Sequence, residues 1–116
     1  MTDVILYGIK NCDSVKKARK WLDAHDISYH FHDFRVDGCT ADLLDKWAKS
    51  VDWEILLNRR GTTWRQLDET DKSDVNQTKA QKLMLKNPTL IKRPVMVTQD
   101  TVTVGFKDSN YASLLS

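Results

Sequence analysis

Val4-Ile5-Leu6-Tyr7-Gly8-Ile9-Lys10-Asn11-Cys12-Asp13-Ser14-Val15-Lys16-Lys17-Ala18 is the stretch that decides the fold. The apolar run at 4–7 has the length and composition of a buried strand. Residues 8–11 read as a tight loop, and a helical pattern begins at Cys12. Inward positions then recur at Val15, Ala18, Trp21, Leu22 and His25, with Lys16, Lys17, Arg19 and Lys20 on the wet side. Residues 27–34 alternate Ile27, Tyr29 and Phe31 against Ser28, His30 and His32, which predicts a second strand. A strand–helix–strand unit of this kind needs a crossover, so its two strands run parallel.

Beyond this unit, Thr40 is placed to cap a helix whose stripe is Leu43, Leu44, Trp47, Ala48 and Val51. A short apolar run at 53–57 precedes the polar Asn58-Arg59-Arg60-Gly61-Thr62-Thr63, and a short helix is expected at 64–67. Residues 71–76 read as a surface connection, and 79–86 as a helix with Ala80, Leu83 and Met84 inward, stopped by Asn87-Pro88. The last quarter changes character. Val95-Met96-Val97-Thr98 and Val102-Thr103-Val104 are rich in β-branched residues, and the intervening Gln99-Asp100-Thr101 predicts a hairpin with antiparallel strands. Gly105-Phe106-Lys107 turns the chain into a closing helix marked by Tyr111, Leu114 and Leu115. The expectation is one α/β domain over 1–116: a mixed four-stranded sheet with a helical insertion at about 40–90.

Cys12 carries the chemistry. A thiol at a helix N-terminus faces free backbone N–H groups and the positive end of the helix dipole, both of which stabilise thiolate. A free cysteine, with a pKa of about 8.5, is only a few per cent ionised at pH 7, so lowering that value activates it. Lys10, Lys16 and Lys17 act in the same direction, and Asp13 opposes them. The plainer reading is a small apolar filler. Cys39 follows Gly38 in a turn-like segment and reads as an exposed loop thiol that could resolve an oxidised Cys12.

Composition excludes several function classes. The formal charge of +2 is too weak to argue for direct contact with nucleic acid or an anionic membrane. No stretch approaches the roughly 20 apolar residues of a membrane span, and the chain enters a strand at once. A cytoplasmic protein with reduced thiols is therefore expected. Two cysteines are too few for a cysteine metal site. His30 and His32 share a strand face without a well-spaced further ligand, so no metal is expected. The four tryptophans read as core.

A βαβ half followed by a ββα half, with cysteine after the first strand, is the arrangement of the thioredoxin fold. Lys92-Arg93-Pro94-Val95 adds a second motif: Pro94 opens the third strand, where thioredoxin-like proteins carry a cis-proline facing the active cysteine. Proline simply starting a strand is the plainer alternative. Together with Leu57-Asn58-Arg59-Arg60-Gly61 and Val104-Gly105-Phe106, these motifs give a chain-long resemblance to arsenate reductases of the glutaredoxin-dependent type and the related Spx regulators. The chain looks closest to a bacterial branch proposed to contain glutathione-dependent thiol reductases.

The resemblance implies a nucleophilic cysteine at Cys12 and anion-binding arginines at Arg93 and Arg60, with Arg59 an alternative to Arg60. Lys107 stands at the position of a third arginine. Where arsenate reductases have His-Asn-Pro this chain has Gly8, Ile9 and Lys10, and where they have serine or cysteine it has Val15. These departures, with Lys107, favour thiol reduction over arsenate reduction. Arginine forks suit a carboxylate as well as an oxyanion. The expected partners are glutathione and a glutathionylated or oxyanion substrate, with glutaredoxin as a further redox partner and no tightly bound cofactor. Read alone, Arg59 and Arg60 are a solvated pair. The alternative function is a Spx-like regulator bound to RNA polymerase, without the Cys-x-x-Cys switch.

Overall fold

The computed structural model describes residues 4–98 and 101–115. They fall into two compact units, one comprising residues up to Asp37 together with those from Arg93 onward, the other Gly38–Lys92.

The first unit holds a four-stranded sheet. Strand β1 (Val4–Gly8) leads into α1 (Asp13–Ala24), followed by β2 (His30–Asp33). β1 and β2 are parallel, with Ile5 opposite His30 and Gly8 opposite Asp33. β3 (Val95–Thr98) runs antiparallel to β1, and β4 (Thr101–Val104) antiparallel to β3, giving the order β2-β1-β3-β4. This is the expected thioredoxin-like arrangement; of the hairpin turn, Gln99 and Asp100 lie outside the described residues. The last helix of this unit covers Asp108–Leu115. One face of the sheet packs Val4, Leu6 and Met96 against Ala18 and Leu22 of α1 and Tyr111 of the last helix. Tyr111 is fully buried, edge-on to Trp21 at 5.6 Å and to Phe106 at 4.8 Å.

Helix α1 ends differently from the simplest reading. Asp26 takes a left-handed conformation (φ 55), its N–H donates to Asp23 and that of Ile27 donates to Leu22. This paired closure satisfies the last carbonyls and spends residues 26–27 on the turn. β2 consequently begins at His30, not at Ile27.

The second unit is the helical insertion. It contains α2 (Ala41–Ser50), α3 (Trp53–Leu56), α4 (Thr62–Gln66), α5 (Glu69–Lys72), α6 (Gln77–Lys86) and a 3-10 turn (Pro88–Leu90); the closing helix of the first unit is then α7. Thr40 caps α2 through Leu43 N–H at 3.3 Å, and Asn76 caps α6 through Lys79 N–H at 2.9 Å. Leu44, Trp47, Leu56, Ala80, Leu83, Met84 and Leu90 are buried. Leu57 bridges Ile91, flanked by Asn58 N–H to Leu90 O and Lys92 N–H to Leu56 O, both 2.7 Å. The apolar run at 53–57 is thus a helical turn plus one bridge. The segment at 71–76 is a connection only after α5. Of the tryptophans, only Trp47 is fully buried; Trp21, Trp53 and Trp64 are half-buried.

Candidate active site

The sheet register explains which residues meet. Tyr7 pairs with Val95 and Val95 with Val104, so β1 ends where β3 begins and where β4 ends. The segments carrying Cys12, Arg93 and Lys107 therefore all leave the sheet at one end. Gly105, at φ 81, makes the last turn there, and its N–H donates to Pro94 O at 2.8 Å. The Arg93–Pro94 bond is cis.

Cys12 is the N-cap of α1, with extended backbone (φ −83, ψ 129), and is half-buried. Its N–H donates to Ile9 O at 3.1 Å, which closes the loop and aims the next turn. Its side chain makes no conventional cap hydrogen bond. Burial alone would raise the thiol pKa. That is outweighed by the Val15 amide, by hydrogen bonding and charge from Arg93, and by the Ser14 amide, so the thiol sits below its ordinary value. Arg93 is half-buried, which protects this charge pairing from full solvent screening.

Lys10, Lys16, Lys17 and Lys107 are exposed, where solvent screens their charge. The causes that lower the Cys12 pKa are the Val15 and Ser14 amides and the Arg93 guanidinium. Lys107 sits just before α7, and its carbonyl accepts from Tyr111 N–H at 3.1 Å.

Arg59 and Arg60 belong to the second unit. Arg59 lies over the rings of both Trp53 and Trp64, 5.8 Å from each centroid, a cation–π clasp the sequence did not announce. Arg60 is exposed; its N–H donates to Asn58 Oδ1 at 3.1 Å, and its carbonyl accepts from Arg65 Nη2 at 2.9 Å. A Cβ on Gly61 would lie 2.9 Å from Asn58 Nδ2, so Asn58 and Gly61 together shape this loop. Both arginines are exposed, and Arg59 is the one that lies against the two indoles.

Cys39 is half-buried, unlike the exposed loop thiol expected from its turn. Burial pushes its pKa up to about 11, so it is protonated at neutral pH. His25 caps the end of α1 and stacks on Trp21 at 3.9 Å, while His32 packs on Tyr7 at 4.8 Å. Among the described residues, no helix is long and apolar enough to cross a membrane.

The sequence matches the model of the ArsC family over residues 7–114. It is 44% identical over 108 residues to an uncharacterized protein of Haemophilus influenzae, spanning 93% of this chain and 95% of that one. It is 26% identical over 114 residues to the global transcriptional regulator Spx of Streptococcus mutans, spanning 97% and 82% of the two chains. Among solved structures, the YFFB (PA3664) protein is 47% identical with a TM-score of 0.95, over 97% of this chain and 99% of that one. An arsenate reductase (ArsC) related protein from Brucella melitensis is 49% identical with a TM-score of 0.78, over 96% and 92%. With a family match along nearly its whole length and a cysteine capping the first helix, the chain belongs to the ArsC family.

Proposed function

We propose that the protein is a glutathione-dependent monothiol reductase in which Cys12 is the nucleophile. The observation that carries this reading is the Cys12 sulfur held toward thiolate by the Val15 amide and Arg93 despite partial burial. The Cys12 thiolate attacks the glutathionyl sulfur of a glutathionylated substrate, forming a Cys12–glutathione mixed disulfide and expelling the substrate thiolate. A second glutathione thiolate then attacks the glutathionyl sulfur of that disulfide, forming glutathione disulfide and releasing the Cys12 thiolate. The net change is one glutathionylated substrate plus one glutathione giving the free substrate thiol plus glutathione disulfide. Resolution falls to glutathione because Val15 stands where a Cys-x-x-Cys motif would place its second thiol.

Arg93 holds a carboxylate of glutathione or of an anionic substrate, with Lys10 and Lys107 adding diffuse positive charge and Pro94 shaping the turn next to Arg93; an anion-binding role for Arg60 is proposed on the family resemblance alone. Glutaredoxin is the further redox partner under this reading. Arsenate is the narrower alternative substrate, disfavoured by Gly8, Val15 and Lys107. Cys12→Ser removes the nucleophile and abolishes glutathione-dependent turnover of a glutathionylated substrate; turnover at the wild-type rate in that variant refutes the reading.

The second reading, a regulator bound to RNA polymerase, draws on similarity to Spx along 97% of the chain. Binding to the polymerase α subunit, without any reductase turnover, would favour it.

A further inference from the structure

Gly8 and Val15, which read in sequence as two separate departures from the arsenate reductase pattern, touch each other. A Cβ placed on Gly8 would lie 2.6 Å from Val15 Cγ2 and 3.4 Å from Cγ1. Gly8 is not among the glycines with positive φ, so glycine is required there by space and not by backbone conformation. Neither partner can readily yield. Gly8 is paired with Asp33, and its carbonyl accepts from Phe34 N–H at 2.9 Å. Val15 is fully buried, and a β-branched side chain in a helix is confined to essentially one rotamer. The same Val15 sits in the first turn of α1, where backbone N–H groups have no partner within the helix.

We propose that Gly8 is a positioning residue: the contact of Val15 with its bare backbone sets how closely the first turn of α1 seats on β1, and so holds the Ser14 and Val15 amides on the Cys12 sulfur. A side chain at position 8 would lift that turn. A smaller residue at position 15 would let it settle away from its present height. The Val15 and Ser14 amides favour the thiolate, and the effect of a dipole weakens steeply with displacement. This inference rests on Cys12 being the reactive thiolate.

The test is the pH profile of Cys12 alkylation by iodoacetamide, read by peptide mass in the full chain, for Gly8→Ala, Val15→Ala, the double variant and Leu22→Ala. Gly8→Ala is expected to move the midpoint upward and lower the rate at neutral pH several-fold. Val15→Ala is expected to move it in the same direction. In the double variant the added methyl occupies the space that Val15 vacated, and the midpoint returns toward wild type. Leu22→Ala, in the core of the same helix, lowers Tm without moving the midpoint. If Gly8→Ala does not fold, Val15→Ala against the double variant decides. The proposal is overturned if the single variants keep the wild-type midpoint, if the double variant restores nothing, or if Leu22→Ala shifts it equally. A wild-type midpoint at the ordinary cysteine value removes the thiolate reading itself. A lowered wild-type midpoint that Gly8→Ala leaves unchanged removes only the role of Gly8.

Discussion

At Cys12 two opposing influences meet: burial of the sulfur disfavours the thiolate, while the Val15 amide and the Arg93 guanidinium favour it more strongly. Arg93 contributes both a hydrogen bond and charge, so the two can be separated. Arg93→Lys keeps the charge but replaces a planar fork by a compact ammonium. A hydrogen bond to a charged group contributes about 1.5 kcal/mol, so alkylation of Cys12 at neutral pH is expected to slow by about tenfold. An unchanged rate would show that the positive charge at position 93 suffices and that the guanidinium's hydrogen bond is dispensable. Arg93 was visible in the sequence through its place before Pro94. The clasp of Arg59 by Trp53 and Trp64 was not, because the two indoles come from separate helical turns joined by a loop that Asn58 and Gly61 shape.

Helix α6 shows how local sequence terminates an element. Asn76 accepts from Lys79 N–H at 2.9 Å and satisfies one of the free donors of the first turn. Asn76→Ala is expected to cost about 1 kcal/mol, a Tm loss of roughly 4 °C by differential scanning calorimetry. No change in Tm would mean that the turn finds other partners. Elements with a sustained period were legible: β1, α1, α2, α6, and the β3–β4 pair all stand where their apolar spacing puts them. The start of β2 was not, because the left-handed Asp26 and the closure at Ile27 use backbone that the alternating pattern assigned to the strand. The single turns α3 and α5 were also unreadable, since four residues hold too little periodicity to register. The Gly8–Val15 contact depends on how a helix seats on a strand, which no spacing encodes.

Stability of the whole chain should carry the mark of both thiols, with opposite sign. Cys39 is raised to about 11 in the fold, against about 8.5 for a free cysteine. Between those values the folded chain keeps a proton that the unfolded chain releases, so stability falls as pH rises through that window. Cys12 is lowered in the fold, so its contribution is present above about 8.5 and is lost as pH falls through its folded value. Cys39→Ala is therefore expected to lose less Tm than wild type between about pH 8.5 and about pH 10. An equal loss in both would show that Cys39 ionises in the fold as it does in solvent. The central claim, that this fold holds one sulfur as a nucleophile, is tested most directly by the rate of Cys12 alkylation as a function of pH in the wild-type chain. A midpoint clearly below about 8.5 is the predicted result; a midpoint at or above that value would contradict it.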